Sequence, residues 1–173
     1  MRHSCVPLPR LARRGCDRLL RPGDRRRRLD GVPEAAQAPC EGGLLPHEMR
    51  VDLTDYEGNA TWAKYGLFHL GDASTKYRLQ VGRYNGTAGD GFGGGRHNGH
   101  PFTTHDNDND AADANCAARY RGAWWYDKCH ISNLNGFSYE GEHETYADGI
   151  EWQPWRGYRY SLKTAAMMIR PAF

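Results

Sequence analysis

The stretch His105-Asp106-Asn107-Asp108-Asn109-Asp110-Ala111-Ala112-Asp113-Ala114-Asn115 gathers oxygen donors more densely than any other part of this chain. Carboxylates at alternate positions can converge on one hard cation, with backbone carbonyls filling the remaining places. Calcium accepts about six to eight oxygens in such flexible geometry. Carboxylates packed this closely repel one another when no cation is present. The spacing is not that of an EF-hand. Counting from Asp106, the sixth position is Ala111 and the twelfth is Ala117, where that loop needs Gly and Glu. A solvated acidic loop would have the same composition, and the residues alone leave both readings open.

Cys116 and Cys129 follow and would close a small loop. A disulfide between them would stabilise the chain by ~3 kcal/mol if chain entropy dominates. Two free thiols are the alternative, and so is zinc ligation with the nearby His97, His100, His105, His130 and His143. No pair of these residues, however, has the close CxxC or HxxxH spacing that zinc sites favour. The chain has five cysteines, an odd number, so they cannot all pair internally. The third block is Gly122-Ala123-Trp124-Trp125-Tyr126-Asp127-Lys128-Cys129-His130-Ile131-Ser132-Asn133-Leu134-Asn135-Gly136. Catalytic patterns are missing: Ser132 and Ser138 have no nucleophile-elbow context. The Gly-rich residues 91–99 lack the Lys and Ser/Thr of a phosphate-binding loop. We therefore expect a binding module and not an enzyme.

Something must position these residues. Residues 50–55 alternate apolar and polar, as a half-buried strand does. Residues 60–70 are aromatic-rich and form a second strand, with Tyr56-Glu57-Gly58-Asn59 as the turn between them. Residues 77–81 read as a third strand, giving an antiparallel meander. Residues 85–116 lose all periodicity, which over such a length points to a functional loop. Short strands return at 123–126, 158–163 and 167–170. No internal repeat and no long amphipathic helix is found.

Residues 1–49 show neither helical nor strand period, and they are expected to be a poorly ordered, Arg-rich segment of no assigned function. Residues 50–173 are the expected folded domain. The net charge of +2 divides unevenly between the two parts: residues 1–50 hold eleven Arg and six acids, and residues 51–173 hold twelve basic and fifteen acidic residues. By its charge the C-terminal part is not a nucleic-acid binder. There is no run of ~18 apolar residues that could span a membrane. The basic start of the chain lacks the continuous apolar run of a signal peptide.

WWY-x-x-CH-x-SNLNG, placed after DNDND and NCAARY, resembles the C-terminal half of the fibrinogen-related domain. The final GIEWQPWRGYRYSLKTAAMMIRP is similar to that family's ending. The resemblance covers about residues 48–171 and implies an α+β fold of the fibrinogen C-terminal type. Such a fold is a mainly antiparallel sheet with a loop-rich calcium- and ligand-binding subdomain, here truncated on its N-terminal side. Carried over residue by residue, it implies Ca2+ held by the side chains of Asp108 and Asp110 and by the carbonyls of Ala112 and Ala114. It also implies a Cys116–Cys129 disulfide. Acetyl-binding members of the family use a cis peptide before the second cysteine, here Lys128–Cys129, to aim the N–H groups of Cys129 and His130 at an acetyl oxygen. Tyr120, Tyr146, Ala147 and the ring of His130 then match the wall around the acetyl methyl. In fibrinogen-type pockets, which take a peptide amino terminus, an acid stands at the position of Ala147.

The implied role is calcium-dependent recognition of acetylated glycans or other acetylated surfaces, as in innate-defence lectins. An extracellular structural or signalling domain of the tenascin or angiopoietin kind, binding a protein partner, is the alternative. Two sequons, at Asn59 and Asn85, are possible glycosylation sites. Together with a disulfide and a calcium loop, they favour an oxidising, extracellular setting.

Overall fold

The computed structural model describes residues 46–93 and 95–172. Cys5, Cys16, Cys40 and the Arg-rich run lie outside the described residues. The main layer is a four-stranded antiparallel sheet in the order β3-β2-β1-β8. It is built from β1 (His47–Thr54), β2 (Ala60–Leu70), β3 (Leu79–Gly86) and β8 (Thr164–Pro171). Between β3 and β8 run two four-residue helices, α1 (Cys116–Arg119) and α2 (Gln153–Arg156). The same stretch holds four two-residue strands: β4 (Ser132–Asn133), β5 (Gly141–Glu142), β6 (Glu151–Trp152) and β7 (Tyr160–Ser161). β4 pairs with β6, and β5 with β7.

In β1 the alternation seen in the sequence is realised: Met49, Val51 and Leu53 are buried while Arg50 faces solvent. The strand starts at His47, three residues before the expected boundary at Arg50, because Met49 pairs with Tyr65 and enters the core. β2 buries Thr61, Ala63 and Tyr65, then changes parity. The β1–β2 register shifts between the Met49–Tyr65 and His47–Phe68 pairs. Phe68 therefore turns inward and Leu67 stays exposed, as an irregularity of this kind requires.

β3 begins at Leu79, not at the expected Tyr77, since Lys76 and Tyr77 both adopt positive φ (56° and 55°) and turn the chain. Of the strand expected over 158–163, only Tyr160 and Ser161 pair regularly. The stretch 123–126 contributes an isolated bridge, Thr103 to Trp124.

The core is aromatic. Phe92 stacks on Trp124 at 5.4 Å and meets Tyr65 and Trp152 edge-on at 5.4 and 5.8 Å. Gly91 makes this packing possible, because a Cβ there would lie 2.4 Å from the Trp152 ring. The glycine-rich run after residue 90 thus wedges backbone against an indole.

Candidate ligand pocket and cation loop

α1 is placed by its cap: the side chain of Asn115 accepts from Ala118 N–H at 2.9 Å. This cap puts Cys116 at the first helical position, fully buried. Cys116 and Cys129 form a disulfide with a Cα–Cα distance of 5.5 Å. Both sulfurs are consumed in that bond, so neither is a thiolate ligand for zinc.

Every peptide bond among the described residues is trans, including Lys128–Cys129. The expected cis bond is thereby corrected. The chain reverses through φ instead of ω: Cys129 sits at φ 103°, and Asp127 N–H donates to the Cys129 carbonyl at 3.0 Å. A trans bond avoids the ~3 kcal/mol cost of a cis non-proline peptide.

Just beyond the disulfide lies an open depression of about 160 Å³, lined by Arg96, Tyr120, Lys128, Cys129, His130, Tyr146, Ala147 and Tyr158. All five residues expected to contact a ligand meet there. The Tyr120 ring stands edge-on to His130 at 4.8 Å. Tyr146 is 56% exposed, so it is not a core aromatic, and its ring lies 5.1 Å from that of Tyr158. Ala147 is buried at the pocket wall with φ 63°, fixed by its N–H donating to the Tyr158 carbonyl at 2.9 Å. The Tyr158 hydroxyl in turn donates to the His130 carbonyl at 3.0 Å. Among the described residues, no protein acceptor takes the N–H of Cys129 or of His130.

Behind the pocket, the ring of His130 rests 3.5 Å from the carboxylate of Glu151, which is fully buried. Burial pushes the Glu151 carboxyl up, against the pull of His130. His97, also fully buried, anchors the start of β4: its Nε2 accepts from the N–H of Ile131 at 3.1 Å and of Ser132 at 3.3 Å.

The acidic loop is joined to this pocket. Ala111 N–H donates to the Asp127 carbonyl at 3.1 Å, two residues before Cys129. Asp110 is held by its own neighbours: one carboxylate oxygen accepts from Ala112 N–H at 2.9 Å and the other from Cys116 N–H at 2.8 Å. Burial, with the carboxylate of Asp108 adding to it, raises the Asp110 carboxyl above its ordinary range. Thr104 donates to Asp106 at 2.7 Å, which lowers the Asp106 carboxyl and engages it away from a shared centre.

Among the described residues no three His, Cys, Asp or Glu side chains converge as a metal cluster. A cation here would depend on two carboxylates and on backbone oxygens. The donor chemistry fits calcium: Asp108 and Asp110 are close enough to repel. Among the described residues nothing donates to the carbonyls of Ala112 and Ala114.

Residues 41–172 match the family model for fibrinogen beta and gamma chains, C-terminal globular domain. The chain belongs to the fibrinogen C-terminal domain family. Domains of this family are binding and structural modules, not enzymes. Techylectin-5A of Tachypleus tridentatus is 50% identical over 123 residues, covering 71% of this chain and 41% of that protein. Fibrinogen C domain-containing protein 1 of Homo sapiens is 50% identical over 130 residues, covering 72% and 28% respectively.

Among solved structures, the fibrinogen-like globe domain of human ANGPTL2 superposes with a TM-score of 0.71 at 43% identity, covering 74% of this chain and 59% of that one. Lamprey fibrin D-dimer, complexed with a Gly-His-Arg-Pro-amide peptide, gives a TM-score of 0.69 at 34% identity, covering 74% and 46%. The chain spans 41% or less of the length of these curated relatives.

For this fibrinogen C-terminal domain, sequence reasoning overlooked Arg96 and Tyr158. Tyr158 lies within a stretch read as a plain strand, and Arg96 within a run read only for its glycines. Neither carries a local pattern, because both reach the pocket by tertiary contact alone.

Proposed function

We propose that this domain recognises acetyl groups on glycans or other extracellular surfaces, with calcium holding the acidic loop. The observation that supports this most directly is the wall of the pocket. Tyr120, His130, Tyr146 and Ala147 present rings and a methyl group, and no carboxylate lines the depression. A peptide amino terminus would need a counter-charge, and Ala147 offers none. An acetyl group is neutral and needs only a donor for its oxygen and an apolar seat for its methyl. The N–H groups of Cys129 and His130, unclaimed among the described residues, are the donors. The rings of Tyr146 and Tyr120 form the seat.

Asp108 and Asp110, with the carbonyls of Ala112 and Ala114, would hold Ca2+. The bound ion supplies charge that relieves the repulsion between the two carboxylates. The loop they lie in is bonded to the Asp127 carbonyl, so ordering it steadies the turn that presents Cys129 and His130. A single acetyl seat is small, so one copy binds weakly and useful avidity comes from several linked copies. The disulfide and the family membership support an extracellular setting.

The test is competition for binding to an acetylated resin in calcium. N-acetylglucosamine and acetate should displace the protein, and glucose should not. Ala147→Asp should abolish retention by setting a charge against the methyl. If the folded protein is displaced equally well by glucose, the acetyl reading fails. The protein-partner role, favoured by the likeness to ANGPTL2, would then replace it.

A further inference from the structure

The two edges of the four-stranded sheet are finished differently. The β3 edge is covered by the chain itself. Leu79 N–H donates to the His100 carbonyl at 3.0 Å, Gly99 N–H to the Leu79 carbonyl at 2.8 Å, and Val81 N–H to the Asn98 side chain at 2.9 Å. The β8 edge is bare: among the described residues β8 pairs with β1 alone. Seven of its eight residues are exposed and Met167 is half-buried. The run Ala165-Ala166-Met167-Met168-Ile169 holds no charge and no Pro, and its register with β1 has no bulge. Those are the devices that usually blunt an edge strand.

One face of β8 prolongs the core. Ala165, Met167 and Ile169 stand opposite Leu53, Val51 and Met49, which are all 0% exposed, yet Ile169 is 51% exposed. The apolar face thus runs one strand further than its cover. The backbone of the edge is open as well. Ala172 N–H donates to the Pro46 carbonyl at 2.8 Å, flanking the His47–Pro171 pair. Bonding residues alternate along an antiparallel pair, so Thr164, Ala166, Met168 and Arg170 bond to β1. Ala165, Met167 and Ile169 therefore turn their N–H and carbonyl groups outward.

We propose that β8 pairs with β8 of a second copy of this chain, antiparallel and two-fold symmetric about Met167, joining the two sheets into one. A two-fold interface must be complementary to itself, and this strand is. Met167 then meets Met167, and the outward groups of Ala165 meet those of Ile169. Ala165 lies opposite Ile169 on one face and Ala166 opposite Met168 on the other, so each small side chain leaves room for a large one. Thr164 lies opposite Arg170, and no like charges meet. Moving the axis by one residue would require either the N–H of Lys163, which already donates to the Thr54 carbonyl at 2.9 Å, or that of Pro171, which has none. The pairing is independent of what the pocket binds.

The experiment is sedimentation equilibrium of the full chain from ~1 to ~200 µM, with non-reducing mass analysis of the same samples. A ribbon this narrow makes a weak dimer, with a Kd of ~20 µM. Ile169→Lys sets an ammonium against Ala165 of the second copy and should weaken association at least ~tenfold, with the urea midpoint little changed. Should that variant not fold, Ala165→Lys, also at an exposed position, makes the same test. Met167→Cys should give a covalent dimer linked 167 to 167, because the axis sets those Cα atoms ~5.5 Å apart, within disulfide reach. Ala165→Cys should not, since its two copies stand ~14 Å apart. A monomer at ~200 µM overturns the proposal, and that is the outcome if residues 1–45 of the same chain cover β8. A dimer that persists in the lysine variants also overturns it, whether another surface holds it or a disulfide from Cys5, Cys16 or Cys40.

Discussion

Acidification should destabilise this domain through one buried histidine. His97 is 0% exposed. Its Nδ1 donates to the Trp125 carbonyl at 2.9 Å, and its Nε2 accepts from the N–H groups of Ile131 and Ser132. A ring nitrogen that accepts cannot also carry a proton, so His97 is the neutral Nδ1–H tautomer. Burial pushes its pKa down to about 3, and the charges of His130, His100 and Arg96 add to that, against the opposing Trp125 carbonyl.

In the unfolded chain the same ring titrates near ~6.5, so the native state binds fewer protons below that pH. The contribution is complete above ~6.5 and is lost progressively as the pH falls toward about 3. Between pH ~7.5 and ~5.0 the loss from this residue is about 2 kcal/mol. That is a large share of the ~5–15 kcal/mol that holds a typical domain folded.

The assay is urea unfolding in calcium at those two pH values, for the wild type and for His97→Gln, whose amide oxygen can still accept. The variant should lack about 2 kcal/mol of the wild-type fall. Glu151, whose carboxyl is raised by burial, works in the opposite sense, contributing at low pH and losing effect as pH rises. It is common to both proteins and cancels in the difference. Equal losses in the two proteins would refute the neutral, buried assignment. Should the variant not fold, ring NMR of the wild type gives the same answer: a His97 ring titrating near pH 6 would contradict it.

Asp108→Ala should lower the melting temperature in calcium to the value in EDTA, because a ligand that binds only the native state stabilises it. Identical wild-type melting temperatures in calcium and EDTA would remove calcium from the loop. Replacing Cys116 and Cys129 by Ser should cost ~3 kcal/mol, and non-reducing peptide mapping should recover them as one linked pair. Finding Cys116 linked to Cys5, Cys16 or Cys40 would contradict the fold. Gly91→Ala should cost ~1–3 kcal/mol, since the new Cβ would stand 2.4 Å from the Trp152 ring. Unchanged urea midpoints would show that the 90s loop repacks freely. Tyr146→Ala should weaken retention on an acetylated resin about tenfold with stability unchanged, because the ring is 56% exposed and packs the seat more than the core.

β1 was legible in the sequence because period-2 alternation reports one buried face directly, and β2 because an aromatic-rich run after turn residues suits a strand. The disulfide and the residues lining the pocket were reached through the family resemblance instead: DNDND, NCAARY and WWY-x-x-CH-x-SNLNG are contiguous stretches that a family pattern can match. Tertiary structure alone decided how those segments face one another. The inward turn of Phe68 in place of Leu67 depends on a register shift against β1, which no local pattern reports.

The trans peptide at Cys129 likewise depends on what its neighbours can hold, and a positive φ met the need. Tyr158 and Arg96 come to the pocket from positions 28 residues after and 34 residues before His130. His97 is the clearest case. In the sequence it stands between Arg96 and Asn98 and entered only as one of several histidines near the two cysteines. It is buried because the backbone N–H groups of Ile131 and Ser132 need an acceptor in the core, and the folded chain places that ring where it can serve.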